Sequence, residues 1–231
     1  MTGPVPSLRH TNMQLRRDRI LDGARGLLAE RGYEGFSNND LCKAAGVTAP
    51  TLYNLIGSKN DILIALMNKS TDELEQSLTG NDDLAALAFI EGIAIEAAKL
   101  AANDGSFFRA SVIALDQISE PQARDSAERQ ISERRVAVAV RGCLKALDEG
   151  LLRGDIPSAD LGTQMYAVFS RPWREWAYGR MTISEFKRQV LLGFYMCLCS
   201  DASPDFLKTL RRKISEQKGA KAGPAARTRI T

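Results

Sequence analysis

The side chains best equipped for chemistry in this chain gather between positions 48 and 59. Thr48, Thr51, Tyr53 and Asn54 supply hydroxyl and amide groups, Ala49 and Pro50 sit small among them, and Lys59 adds a cation. None is a nucleophile beside a base, a carboxylate pair or a metal-ligand set, so the chemistry on offer is hydrogen-bonded recognition. These groups stay exposed once Leu52, Leu55 and Ile56 are assigned to a buried side at i, i+3 and i+4. They crowd the start of a short helix, where free N–H groups and the positive end of the helix dipole suit a phosphate. A helix built only for a core more usually carries long solvated charges there.

Positioning such a set requires two short helices meeting at a sharp turn, and residues 37–59 have that grammar. Ser37 can cap a first helix, with Asp40 as its capping-box partner. Leu41, Ala44 and Ala45 give that helix a compact apolar face, and Gly46 ends it where a left-handed backbone is needed. Thr48 caps the second helix, with Pro50 in its first turn, where a missing N–H costs nothing. Ser58 and Asp61 repeat the pattern for a third helix. The functional reading is a helix-turn-helix whose second helix enters the DNA major groove. The alternative is an αα-corner used only for packing, in a helical protein-interaction or ligand-carrier module without DNA binding.

GVTAPTLYNLIGSK resembles the turn and recognition helix of the TetR (tetracycline repressor) family, and RDRILDGARGLLAERGYEGFSNNDLCKAAG resembles that family's first two helices. The resemblance runs from about Arg16 to Leu66. It implies that Tyr53 and Lys59 contact phosphate, and that Thr48, Ala49, Pro50, Thr51 and Asn54 face base edges or the adjoining backbone. Ser37 and Asn38 then sit where the preceding helix start meets phosphate. Ile56, in place of an aromatic residue, and Leu55, at a position that is often polar, depart from the family pattern.

Composition narrows the classes. Lys and Arg number 31 against 28 acidic residues. Eight of those basic residues but only Glu216 among the acids fall from Lys208 onward, which leaves the rest of the chain at −4. The basic balance is therefore a tail effect and says little about nucleic acid. Four cysteines (Cys42, Cys143, Cys197, Cys199) lack scaffold spacing, and His10 is the one histidine, so neither a metal nor a cofactor is expected. G-x-S-x-G, Walker A and dinucleotide-loop motifs are missing, and no enzyme is expected. Without an apolar run of about 20 residues or a signal-peptide core, the expectation is a cytoplasmic protein with no membrane partner.

The predicted fold class is all-α, with a helix-turn-helix head over residues 14–59 and a helical ligand-binding and dimerisation body over 60–217. A flexible arm at 1–13 and a disordered basic tail at 218–231 flank them. Arg9, His10, Arg16 and Arg17 either follow a phosphate backbone or belong to a solvated end. The first helix should span residues 15–31, burying Ile20, Ala24, Leu27 and Leu28. Later helices are expected over 59–78, 82–102, from Ser106, over 121–148 with an apolar edge of Val136, Val140, Cys143, Leu144 and Leu147, and over 158–178, where Pro172 should kink or interrupt it. Asp82 and Asp83 sit at a helix start, and two more helices follow, after Thr182 and Ser203.

The family resemblance implies a homodimer with a palindromic operator in double-stranded DNA and a small effector. Trp173, Trp176, Phe186, Phe194 and Tyr195 are candidates for the dimer interface, because aromatic residues favour interface centres; the alternative is an ordinary monomer core. Phe89, Ile93, Phe107, Phe108, Val112, Met165 and Tyr166 are candidates to line a pocket, with Glu96, Arg109, Asp116 or Gln117 orienting a ligand. Packing or surface roles are the alternative for each. An apolar lining points to a hydrophobic or amphipathic effector of unknown identity.

Overall fold

The computed structural model describes residues 8–79 and 84–219. Ten α-helices account for most of them: α1 (Leu8–Arg31), α2 (Asn38–Ala45), α3 (Ala49–Leu55), α4 (Lys59–Thr79), α5 (Ala86–Asn103), α6 (Gly105–Asp116), α7 (Pro121–Asp148), α8 (Ser158–Ala177), α9 (Ile183–Cys199) and α10 (Pro204–Gly219). Among the described residues the one β contact is an isolated antiparallel bridge between Leu152 and Ala202. The all-α expectation holds.

Packing divides the chain into two units, one of residues up to 70 plus 106–131, the other of 71–105 plus 132 onward. The head therefore packs with more of the chain than residues 14–59. In the first unit, Ile20, Ala24 and Leu28 of α1, Leu41 of α2, Leu52 of α3, Ile62, Leu63 and Met67 of α4 and Phe107 of α6 are all buried. Gly23 lets α1 and α2 approach closely: a Cβ there would meet the Ala44 Cβ and Leu41 Cδ1 at 3.5 Å. α1 begins at Leu8 rather than Leu15. No proline lies between Pro6 and the end of α1, and a helix already nucleated by packing extends at little cost. Of the expected arm, residues 1–7 lie outside the described residues and 8–13 are helical.

In the second unit, α9 packs against α5, α8 and α10. Trp173 stands 4.8 Å from Trp176 and 5.2 Å from Phe186 between ring centroids, and Phe169 stacks on Trp173 at 5.7 Å. α8 runs unbroken through Pro172. The aromatic packing on both sides of the proline outweighs a missing hydrogen bond and ring clash worth about 3 kcal/mol. The buried Asp201 carboxylate accepts from the Gly154 and Asp155 N–H groups, both at 3.0 Å, fixing the α7–α8 link to the α9–α10 corner.

Several local expectations need correction. Ala44 is exposed and Cys42 is buried instead; Leu55 and Ile56 are only half-buried. Ser106 lies inside α6, which starts at Gly105. Asp82 and Asp83 fall outside the described residues. On α7 the buried side is Ala127, Ile131, Val138, Ala139, Cys143 and Ala146, whereas Leu144 and Leu147 are exposed. Small residues face inward because α7 is closely approached: a Cβ at Gly142 would come within 2.7 Å of Ile90 Cγ1.

The tightest such contact is at Gly162 of α8, where a Cβ would meet the Val140 nitrogen at 2.8 Å and its Cγ2 at 2.5 Å. Backbone cannot yield as a side-chain tip does, so Gly162→Ala should lower stability in urea by about 1–3 kcal/mol. Gly26 of α1 has open space around that position, and Gly26→Ala should stabilise by about 0.5–1 kcal/mol. Equal urea midpoints for Gly162→Ala and the parent would contradict this packing.

Candidate nucleic-acid interface

The α2–α3 corner is built by local backbone chemistry. The Ser37 N–H donates to Asp40 Oδ2 at 2.9 Å, and the Asp40 N–H returns a bond to Ser37 Oγ at 3.2 Å, completing the expected capping box. Those bonds from Ser37 hold the Asp40 carboxyl below the usual carboxylate range. Gly46 takes the left-handed conformation (φ 62°, ψ 41°), and the Val47 N–H reaches back to the Cys42 carbonyl at 3.0 Å. Pro50 lies in the first turn of α3, as the sequence predicts. Thr48 occupies the cap position, but its side-chain oxygen accepts no backbone N–H there. Its hydroxyl instead shares a hydrogen bond with that of Thr51 at 2.9 Å.

α3 has only seven residues, too few to be stable alone, and three anchors hold it. Leu52 is fully buried. The turn at Gly46 fixes its start. Arg17 Nη1 of α1 donates to the Leu55 carbonyl at 2.6 Å, holding its end. The expectation of a phosphate contact for Arg17 is replaced by this internal role, and no local sequence signal could have revealed it across 38 positions.

The outward side of α3 carries Tyr53, at 53% exposure, with Thr48, Pro50 and Asn54 exposed and Ala49 and Thr51 half-buried. Asn38 Nδ2 donates to the Tyr53 hydroxyl at 2.8 Å, tying the starts of α2 and α3 into one surface. As the acceptor in that bond, the phenol keeps its own O–H to donate elsewhere. Ser37 is exposed beside it. Eight of the nine sequence candidates thus lie on or beside α2 and α3.

Lys59 behaves differently. Its Nζ donates to the Phe36 carbonyl at 2.8 Å and lies 4.5 Å from the ring centroids of both Tyr33 and Phe36. Burial lowers its pKa, against a smaller opposing effect of Glu34. The Tyr33 hydroxyl donates to Asn60 Oδ1, and burial first, then Glu34, pushes it up to about 12. The start of α4 is thereby clamped to the α1–α2 link, and the Lys59 ammonium is partly spent inside the head.

The remaining candidates separate. Phe107, Phe108 and Val112 belong to the first unit, where the Arg25 guanidinium lies 4.3 Å over the Phe107 ring. Phe89, Ile93, Met165 and Tyr166 belong to the second; all are buried except the half-buried Tyr166, and Met165 Sδ lies 3.5 Å from Cys143 Sγ. Burial first, then Cys197, pushes the Cys143 thiol up to about 12, an unreactive state. Glu96 pairs with Lys99 at 2.8 Å, Arg109 and Asp116 have their own partners, and the Gln117 N–H bonds the Ile113 carbonyl.

Trp173, Trp176, Phe186, Phe194 and Tyr195 are all buried within the single chain. Their packing inside the single chain is the ordinary-core alternative that the sequence also offers. Sequence reading missed Glu91, which accepts from the Tyr195 hydroxyl at 2.6 Å and pairs with Lys213 at 2.6 Å. Burial, followed by Glu91, raises the Tyr195 pKa.

Comparison with known proteins agrees with this geometry. Residues 20–66 match the family described as bacterial regulatory proteins, tetR family. The HTH-type transcriptional regulator AlkX of Mycobacterium tuberculosis is 32% identical over 82 residues, covering 34% of this chain and 39% of that protein. The HTH-type transcriptional repressor AcnR of Corynebacterium diphtheriae is 27% identical over 77 residues, covering 33% and 40% respectively. The chain thus spans about two fifths of the length of the curated relatives it matches. In fold, it resembles the transcriptional regulator FadR of Bacillus subtilis, solved in complex with stearoyl-CoA (TM-score 0.60, 17% identity, 78% of this chain and 97% of that one). Residues 20–66 thus match the tetR family of bacterial regulatory proteins, and the helical architecture resembles that of a putative TetR-family transcriptional regulator from Rhodococcus sp. (TM-score 0.65, 16% identity, 80% of this chain and 99% of that one).

Proposed function

We propose that this regulator is a ligand-responsive repressor that binds a palindromic operator as a homodimer. The observation that carries the reading is the outward side of α3, where Tyr53 stands exposed and braced by Asn38 above a fully buried Leu52. That side offers hydroxyl, amide and free N–H donors on a helix short enough to enter a major groove. Phosphate contacts are assigned to Tyr53, Ser37 and Asn38, and base-edge contacts to Thr48, Ala49, Pro50, Thr51 and Asn54. Lys59 is assigned to bracing the head.

Dimerisation follows from specificity. One short helix reads too few base pairs to single out a genomic site, whereas two heads on half-sites about 34–36 Å apart suffice. Met196 on α9, 61% exposed, is an apolar side chain that a second copy can cover. The relative AcnR is named a repressor. FadR, of like fold, holds stearoyl-CoA, which favours a hydrophobic or amphipathic effector here too. Such a ligand shifts DNA affinity only by its differential affinity for two conformations, typically about 1–3 kcal/mol, and DNA weakens the ligand by the same factor.

The purified chain, mixed with genomic fragments, should retain a small set sharing two inverted half-sites about one helical turn apart. Uniform retention of all fragments, or none, contradicts the proposal. On a retained duplex, Tyr53→Phe should lower affinity about a hundredfold, the loss of one charge-assisted hydrogen bond of roughly 1.5 kcal/mol at each of two heads, and Thr51→Ala should change base preference. Lys59→Met should lower the melting temperature yet leave the salt dependence of binding as in the parent. A salt slope reduced by about 1 per head would instead make Lys59 a phosphate contact.

A further inference from the structure

Sulfur atoms gather in the second unit where α7, α8 and α9 approach one another closely. The Cys143 thiol of α7 donates to Met165 Sδ of α8 at 3.5 Å, and both side chains are fully buried. On α8, Met165 shares a row with Gly162 and Val168, at i−3 and i+3. A Cβ at Gly162 would meet the Val140 nitrogen of α7 at 2.8 Å, and Cys143 lies one turn further along that helix. Val168 faces α9, its Cβ 3.1 Å from where one at Gly193 would stand. Phe186 of α9 lies 5.2 Å from Trp173 of α8, so the two helices run antiparallel. Cys197, one turn beyond Gly193 on the same row, therefore comes level with Met165.

The donors decide what such a set can hold. Among the described residues no three His, Cys, Asp or Glu side chains converge, which denies zinc its four ligands. Thiolate and thioether sulfurs instead select a soft ion such as copper(I), which two or three of them satisfy. Metal–thiolate bonds of about 2.3 Å, at the angles of a three-coordinate ion, set sulfurs about 3.5–4 Å apart. Cys143 and Met165 already stand at that spacing, with the thiol proton directed between them. Burial raises the Cys197 thiol as well as Cys143, so both are protonated at neutral pH. Cys197 is half-buried and gives the set an opening to solvent on the α9 side. Cys143 and Met165 are 22 positions apart in the chain, so no spacing motif announces them, and only the fold makes a metal site conceivable.

We propose that Cys143, Met165 and Cys197 form a binding site for one copper(I) ion per chain. On binding, each thiol loses its proton to solvent, two thiolate–copper bonds form, and the uncharged Met165 thioether donates a third lone pair. No electron is transferred. Two thiolates and one monovalent cation leave a single negative charge, which the half-buried Cys197 side keeps partly in water. The ion ties α7, α8 and α9 together at one point of the second unit. The site depends on neither the DNA-binding reading nor the hydrophobic effector.

The test titrates reduced, full-length protein without oxygen, using copper(I) as its acetonitrile complex and bathocuproine disulfonate as competitor. One ion per chain should bind with release of two protons, so affinity should rise with pH. The copper X-ray absorption edge should report three sulfur neighbours. Met165→Leu conserves volume and should melt near the parent, yet it should lose one of those neighbours. It should also weaken binding by no less than about tenfold, the cost of losing even a group that only orients a metal ligand. Cys143→Ala and Cys197→Ala should each release the ion, while Cys42→Ala and Cys199→Ala keep it. Met165→Leu binding as tightly as the parent, or loss of the ion with Cys199→Ala, assigns the copper to other thiols and overturns the proposal. A parent that yields all its copper to the competitor overturns it too, and leaves the Cys143–Met165 contact as core packing.

Discussion

A helix of seven residues cannot hold its own shape, and the polar surface of the helix-turn-helix depends on how α3 is held. Nucleating one turn fixes several dihedrals for a single hydrogen bond, so a free α3 would be largely unfolded. Leu52 inserts from below, Gly46 sets the entry, and Arg17 grips the exit carbonyl of Leu55. With those three points fixed, the outward side needs no packing of its own and can remain polar. The brace between Asn38 and Tyr53 extends the same rigidity to the phenol. Preorganised side chains lose little conformational freedom on binding, and that is where affinity is gained.

The second unit is built on a different principle. Most of its aromatic side chains are packed internally, with Phe186 edge-on to Trp173, Trp176 tilted against the same ring, and Phe194 and Tyr195 buried on α9. Two polar knots fix the ends of these helices: the Asp201 carboxylate on the Gly154 and Asp155 amides, and Glu91 shared by Tyr195 and Lys213. Each buried or half-buried acceptor has its donors in place, the condition under which a polar group inside a helical body stabilises rather than strains it. Met196, 61% exposed on that body, is the apolar side chain that the proposed homodimer would cover.

What was legible in the sequence was what is local. The Ser37–Asp40 capping box, the left-handed Gly46 and the proline opening α3 all involve residues within a few positions, and each is found as the sequence reads. Leu41 and Leu52 follow from periodicity. What depends on contacts far along the chain was not legible. Lys59 reads as a surface cation until Phe36, 23 residues earlier, takes its proton donor. The buried side of α7 was misread because its larger residues, Leu144 and Leu147, face outward, while the close approach of α5 at Gly142 selects small ones. Aromatic content marked α8 and α9 as important without telling a monomer core from an interface, because both favour the same rings.

The central claim is that the open side of α3 is the surface that meets DNA. Backbone amide hydrogen exchange of the full chain, with and without a retained duplex, addresses it directly. The amides of residues 48–54, several of which lack an intrahelical acceptor, should slow on binding, while the buried α9 amides from Val190 to Leu198 exchange at unchanged rates. Protection of other segments by a bound duplex, with residues 48–54 left as in the free protein, would contradict the account.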